Sequence, residues 1–380
     1  MDIYFDNSAT TVAYPEVAKT VSEAMLELYA NPSSLHRMGK VAEDAISDAR
    51  KYISSTVNGT PDEIYFTSGG TESDNLAIIG YAKANKRSGN RIITQKTEHA
   101  AVLESFSHLE SEGFDVVYID VDSSGSPDME MLKNSIDENT ILLSFMHVNN
   151  ENGAIFPIEE ISSLCDHKKC MLHVDAVQSF GKIPINVKKT GIDMLSVSSH
   201  KIHGPNGVGA LYVRKGVKIN PIAVGGKQER GLRSGTENVA GILGFSKACE
   251  IKFKNMEKDA ETIGNIKKAL CDGLLENIEN VIINSPKDSI HSILNVSFPG
   301  VKSEVLLHIL ESKGIYVSTG SACNSKKNKY SYVLKEMKLK NDVIDSAVRF
   351  SFSAFNTMDD VEYTVNVLKK EIPLLRKIMK

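Results

Sequence analysis

Seven short apolar runs, separated by stretches of helical periodicity, set the strongest limit on how this chain can fold. The runs at 64–67, 91–94, 116–119, 141–146, 171–174, 194–197 and 209–213 read as strands. Several are apolar at consecutive positions, so both faces of each strand need cover, and only helices on both sides of a sheet supply it. Helical spacing fits residues 71–87, 99–111, 127–137 and 158–168. The alternation predicts an α/β fold around a mixed, mainly parallel seven-stranded sheet. Residues 238–280, with no glycine between Gly244 and Gly264, predict a long connecting helix. Beyond it, shorter strands near 292–296 and 348–352 and a terminal amphipathic helix predict a second, smaller α/β unit.

Composition narrows the class. With 380 residues, of which 41% are hydrophobic and 24% charged, the chain can bury more than one core. A formal net charge of −4 leaves no global basic field to draw nucleic acid or a membrane surface, so neither is expected as a partner. The opening Met1-Asp2-Ile3-Tyr4-Phe5-Asp6 is acidic and lacks the order of an export signal, and no apolar run is long enough to span a bilayer. A cytoplasmic location is the expectation. Five cysteines, at 165, 170, 249, 271 and 323, are odd in number and irregular in spacing, which argues against a disulfide framework. Cys165, His167, Cys170 and His173 fit no zinc spacing and read as ordinary helix-end and strand residues; no metal is expected.

The polar residues that punctuate the strand ends carry the chemistry. Ser68-Gly69-Gly70-Thr71-Glu72 follows a strand and opens a helix, where close backbone approach, free N–H groups and the Thr71 hydroxyl suit a phosphate. It is neither the dinucleotide GxGxxG nor the GxxxxGK[ST] loop. Asp175 ends an apolar strand, so its carboxylate emerges at the ligand-binding edge of an open sheet. Lys201 follows the polar strand end Ser196-Val197-Ser198-Ser199-His200. A lysine is costly to hold in a site unless its amine is used. A lysine able to form a Schiff base, with a carboxylate able to pair with a pyridine nitrogen, is how pyridoxal 5′-phosphate (PLP) is held. Gln178 suits the ring's phenolic oxygen, and Ser198 and His200 suit the phosphate or the orientation of the lysine. His99, also between a strand and a helix, suits stacking on a planar ring and moving protons. In Asn149-Asn150-Glu151-Asn152-Gly153, one amide faces the same edge and suits the cofactor's oxygen or the substrate, with Asn150 the candidate for both.

In this order the blocks resemble the cysteine desulfurases of the NifS/IscS type, members of the fold-type I PLP-dependent transferases. The resemblance runs from Tyr4-Phe5-Asp6-Asn7-Ser8-Ala9-Thr10-Thr11 to Arg349-Phe350-Ser351 and is densest at Met146–Glu151, Val174–Ser179, Ser199-His200-Lys201, Arg230–Asn238 and Gly320-Ser321-Ala322-Cys323. It implies Lys201 as the Schiff-base residue, Asp175 at the pyridine nitrogen, Gln178 at the phenolic oxygen and His99 as the stacking acid/base. It further implies Gly70, Thr71, Ser198 and His200 around the phosphate, with Thr236 reaching that phosphate from the other subunit of a homodimer. Asn150 and Arg349 are implied to hold the substrate, the arginine through its carboxylate. A large PLP-binding domain near residues 12–255 and a small domain from 1–11 and 256–380 are expected.

Cys323 lies in a polar, lysine-rich stretch, Asn324-Ser325-Lys326-Lys327-Asn328-Lys329, where a structural cysteine has little to pack against and nearby cations favour its thiolate. The resemblance implies a mobile loop near 320–330 whose cysteine takes sulfur from L-cysteine as a persulfide, leaving L-alanine. The sulfur then passes to a protein acceptor, such as an iron-sulfur scaffold or a tRNA-thiolation enzyme. Asn324 and Asn206 depart from the commoner family residues without removing a chemical group, and leave the acceptor open. A selenocysteine lyase or related PLP lyase, and a noncatalytic sulfur-transfer scaffold, are the alternative readings.

Overall fold

A computed structural model describes residues 2–165, 169–320 and 330–379. Its strands are β1 (Ile3–Tyr4), β2 (Ile64–Thr67), β3 (Arg91–Gln95), β4 (Asp115–Ile119), β5 (Thr140–Met146), β6 (Met171–Asp175), β7 (Met194–Ser198), β8 (Gly209–Val213), β9 (Ile282–Ile283), β10 (Ile293–Ser297), β11 (Ile315–Tyr316) and β12 (Ala347–Ser351). The seven-stranded sheet has the order β2-β8-β7-β6-β5-β3-β4. Only β8 runs against its neighbours. It is the mainly parallel sheet that the alternation predicts.

Strand periodicity divides the side chains between two cores. Ile93, Leu143, Leu195 and Tyr212 face one, covered by the helices Pro15–Glu27 and Arg37–Thr56 and the start of Val239–Asn277. Ile92, Leu142, Met194 and Leu211 face the other, beneath Leu76, Ala82, Val102 and Phe106. The two helices before residue 60 escaped the sequence reading, whereas the helix expected over 158–168 ends at Ser163.

The 39-residue helix Val239–Asn277 links this layer to the next. Its first turns put Ile242, Phe245 and Cys249 into the large core. Ile263, Ile266, Leu270 and Leu274, at helical spacing, pack on a third core with β10, β12 and the helix Met358–Ile378. In that smaller unit β10 is antiparallel to both β9 and β12, and β1 pairs in parallel with β11. The first strand of the chain is thus held by elements more than 300 residues downstream.

Candidate active site

The carboxyl ends of β3, β5, β6 and β7 converge on a cavity of about 280 Å3. The chain order reverses between β3 and β5. Loops diverge at such a point, which is why open α/β sheets bind ligands there. His99, Asn150, Asp175, Ser198 and Lys201 reach the cavity from these strand ends, and Gly70, Thr71, Gln178, His200 and Arg349 complete the set that the sequence picks out.

Lys201 ends a short 3-10 turn directly after β7. Its Nζ donates to the carbonyl of Ala9 at 2.8 Å and also to that of Ser8. These acceptors come from the segment after β1, which is laced to the lysine's own turn: the Thr11 amide and hydroxyl both donate to the His200 carbonyl, at 3.0 and 2.7 Å. Gln178 Nε2 donates to the Ser8 carbonyl as well, at 3.0 Å. Ser8 and Ala9 line the cavity too, yet no side-chain pattern announces a carbonyl acceptor.

Two carboxyls share the floor. Asp175 is nearly buried, and its Oδ1 accepts the Val177 amide at 2.9 Å. Burial raises its pKa, while His99, the Val177 amide and Lys201 oppose the rise. Asp74 is fully buried; burial and then the Asp175 charge push its carboxyl well above the usual range. Its Oδ1 meets no hydrogen-bond partner among the described residues and lies 3.6 Å from His173 Nε2. Asp74 was not singled out from sequence, although it falls one helical turn from Gly70 and Thr71, a usable signal.

His99 caps the helix Ala100–Ser111, its Nδ1 accepting the Ala101 amide at 3.1 Å. That bond puts the proton of the neutral ring on Nε2. Burial lowers the His99 pKa; Asp175 opposes this and Lys201 adds to it. His200 is pushed down to about 4 by burial, with Lys201 adding to the shift, and its Nδ1 lies 3.1 Å from Thr10 Oγ1. Across the cavity, Arg349 Nη1 donates to the Asn150 carbonyl at 2.9 Å and Nη2 to Asp6 Oδ1 at 2.7 Å.

The pocket fits a flat, polar-edged group with an anionic tail. Ser198 Oγ, Asn150 Oδ1 and Arg349 Nε are buried and find no partner among the described residues, so polar atoms of three kinds await a ligand. At the helix opening, a Cβ on Gly70 would stand 2.6 Å from Val177 Cγ2, so only a glycine lets this first turn lie against Val177 at the cavity wall.

One expected residue is not brought to the cavity. Thr236 is exposed on a loop of its own chain and does not line it. Cys323 lies outside the described residues, as does His167. The rest of the Cys/His group is structural: Cys165 Sγ donates to the Cys170 carbonyl, and the His173 ring nitrogens lie 2.8 and 2.9 Å from Ser144 and Ser196. Among the described residues no group of His, Cys, Asp and Glu is arranged to hold a metal.

Beside the cavity, the ends of the 318–332 stretch are tied down. Ser318 and Arg349 exchange backbone hydrogen bonds of 3.2 and 2.7 Å. Ser331 Oγ donates to the buried Glu151, whose pKa burial raises to about 7 while Ser331 and Arg349 hold it back.

Comparison with known proteins places this geometry in context. Residues 3–364 match the aminotransferase class-V family. A cysteine desulfurase IscS of Clostridium botulinum is 44% identical over 379 residues, covering 99% of this chain and 96% of the relative. One from Methanosarcina thermophila is 43% identical over 376 residues, covering 99% and 93%. Among solved structures, a NifS-like protein superposes with a TM-score of 0.93 at 38% identity, covering 98% of this chain and all of the other. SspA in complex with cysteine superposes with a TM-score of 0.83 at 34% identity, covering 93% and 100%.

Proposed function

The chain belongs to the aminotransferase class-V family, among relatives of the IscS cysteine desulfurase type, and on that premise we propose how its pocket works. It is a PLP-dependent cysteine desulfurase, converting L-cysteine to L-alanine and moving the sulfur onward. The observation that carries the assignment of roles is the meeting of Lys201, Asp175, His99 and Arg349 in one cavity at the switch point of the sheet.

PLP would be held by Lys201 at its aldehyde carbon, Asp175 at its ring nitrogen, Gln178 at its phenolic oxygen, and Gly70, Thr71, Ser198 and His200 at its phosphate. When bound, PLP supplies an electron sink that weakens the bonds at the substrate's α-carbon. Arg349 and Asn150 orient the substrate through its carboxylate, which fixes which α-bond is presented. Lys201 Nζ takes and returns the α-proton, and it is aimed for that task by the Ser8 and Ala9 carbonyls. His99 holds a movable proton on Nε2. The Cys323 thiolate attacks the substrate sulfur; the carbon-sulfur bond breaks, its electrons stay with the carbon fragment, and Cys323 retains the sulfur as a persulfide.

Thr236, exposed on its own subunit, supports a homodimer in which it reaches the partner's phosphate site. A protein acceptor for iron-sulfur assembly or tRNA thiolation, in the cytoplasm, completes the reading. Lys326, Lys327 and Lys329 provide the charge for an acidic docking face. Among the described residues no helix is long and apolar enough to cross a membrane.

Incubation with L-cysteine, quantification of alanine and mapping of the persulfide test the assignment. Stoichiometric alanine with sulfur on Cys323, lost in Cys323→Ala, is the expected result. Full transfer by Cys323→Ala sinks the thiol assignment, and a coenzyme absorption band insensitive to Lys201→Ala sinks the amine. A rate with selenocysteine far above that with cysteine would make the enzyme a lyase of the heavier amino acid.

A further inference from the structure

Arg349 sits at the centre of β12, and its charge faces the cavity. A guanidinium has five N–H donors, and the contacts it makes decide which remain for a ligand. Nη1 is engaged by the neutral Asn150 carbonyl and Nη2 by the Asp6 carboxylate, whereas Nε is buried without an acceptor among the described residues. A buried cation needs a compensating charge. Asp6 supplies it: in the ion pair at 2.7 Å the side chains of Arg349 and Asp6 are 6% and 21% exposed.

The place of Asp6 is fixed by main chain. Asp6 and Ser351 form an isolated parallel bridge, with the Asn7 amide donating to the Ser351 carbonyl at 3.3 Å and the Ser351 amide to the Phe5 carbonyl at 2.7 Å. Residues 349 and 351 share one face of β12, so the bridge delivers the carboxylate beside the guanidinium. Asp6 therefore holds Arg349 from a rigid support.

We propose that Asp6 is the positioning residue of the substrate-carboxylate subsite, and so helps determine specificity for ligands that carry that carboxylate. The proposal rests on the reading of Arg349 as the carboxylate-binding group. By holding Nη2 while the Asn150 carbonyl holds Nη1, Asp6 fixes the plane of the guanidinium at the cavity, and so where its remaining N–H donors meet a ligand. A carboxylate that docks there meets a donor already in place and loses little to reorientation.

The test uses the coenzyme-loaded enzyme and two probes that each lack one of the substrate's α-groups, followed by calorimetry. One is 3-mercaptopropionate, with a thiol and a carboxylate but no amine; the other is cysteamine, with a thiol and an amine but no carboxylate. Asp6→Ala is expected to weaken 3-mercaptopropionate about tenfold or more, the worth of one well-aligned charge-assisted contact. Cysteamine should change less than about twofold, within the scatter of a surface substitution. KM for L-cysteine should rise in step with the first probe while kcat holds within about threefold, the pattern of lost ground-state binding. Asp6→Asn, which keeps an oxygen acceptor, should recover part of the affinity and decides the matter if the alanine variant fails to fold. Equal weakening of both probes, or of neither, overturns the proposal. Arg349→Gln separates the premise from the proposal: unchanged affinity for 3-mercaptopropionate in that variant removes the Arg349 reading itself. Weakening there but not in either Asp6 variant removes the role of Asp6 alone.

Discussion

Lys201 is useful because its amine is aimed, and the aim comes from two backbone carbonyls that no motif encodes. His99 shows the same dependence on surroundings. Its ring is neutral because burial outweighs the Asp175 charge, so its protonation falls below the ordinary value of 6.5. The acid limb of kcat/KM should accordingly lie below pH 6.5, and His99→Gln should lower kcat about 100-fold, as expected for loss of one general acid/base. An acid limb unmoved by the substitution would assign it to another group. Lys201, Asp175 and His99 were legible in the sequence because each is a polar residue next to an apolar strand, whereas Arg349 was reached only through the family resemblance. Asp6, Ser8 and Ala9 were not legible as site residues. Their roles arise from pairing across more than 190 positions, as for Ala9 and Lys201 at a separation of 192 and Asp6 and Arg349 at 343.

At the scale of elements, the helix opening after β2 depends on a missing side chain. Gly70→Ala places a methyl group 2.6 Å from Val177 Cγ2, a branched side chain with little freedom to move. Coenzyme affinity should fall about tenfold or more with the far-ultraviolet spectrum retained; unchanged affinity would show that this backbone does not approach the phosphate. The helix Tyr332–Glu336 depends on Ser331, which accepts the Leu334 amide at 3.1 Å while donating to Glu151. Ser331→Ala should cost about 1–2 kcal/mol in urea denaturation, a lost cap together with a lost bond to a buried carboxyl. Strands were placed to within a residue or two because burial on both faces makes each a compact apolar block. In Pro15–Glu27 the exposed apolar residues Met25 and Leu26 blur the periodicity, whereas Arg37–Thr56 went unread although Ala42, Ile46, Ala49 and Ile53 are buried at helical spacing. Pro15 at a helix start and His36 as a cap were the signals that remained.

Across the whole molecule, buried imidazoles and carboxyls set the response to acid. Burial lowers His147 and His203 to about 4 and His173 to about 3, from 6.5 in each case. Between pH 6.5 and 4 the unfolded chain therefore takes up protons that the native state refuses, and at these rings stability is lost as pH falls through that window. Glu151 works the other way: raised from 4.5 to about 7, it is protonated in the native state over a range where the unfolded group is not, and so favours the fold on acidification. His99 and His200 are lowered as well, and Asp74, Glu98 and Asp175 are raised like Glu151, so rings and carboxyls pull against one another over the whole chain. Substitution isolates one ring: His173→Gln should make the midpoint of thermal unfolding less sensitive to acid between pH 6.5 and 4 than in the parent, and an unchanged dependence would contradict the burial of that ring.

The supports of Lys201 have a consequence for synthesis. The Ser8 amide donates to Ser351 Oγ at 2.8 Å, so the carbonyls that steady the lysine are themselves moored to one of the last strands made. A ribosome that has just released the seventh strand of the large sheet has exposed Lys201 and Asp175 but not the mooring. On the proposed role of Lys201, its amine is steadied only once nearly the whole polypeptide is made. A nascent chain halted partway carries the lysine without the carbonyls that hold it, and is expected to retain the coenzyme less firmly than the finished enzyme.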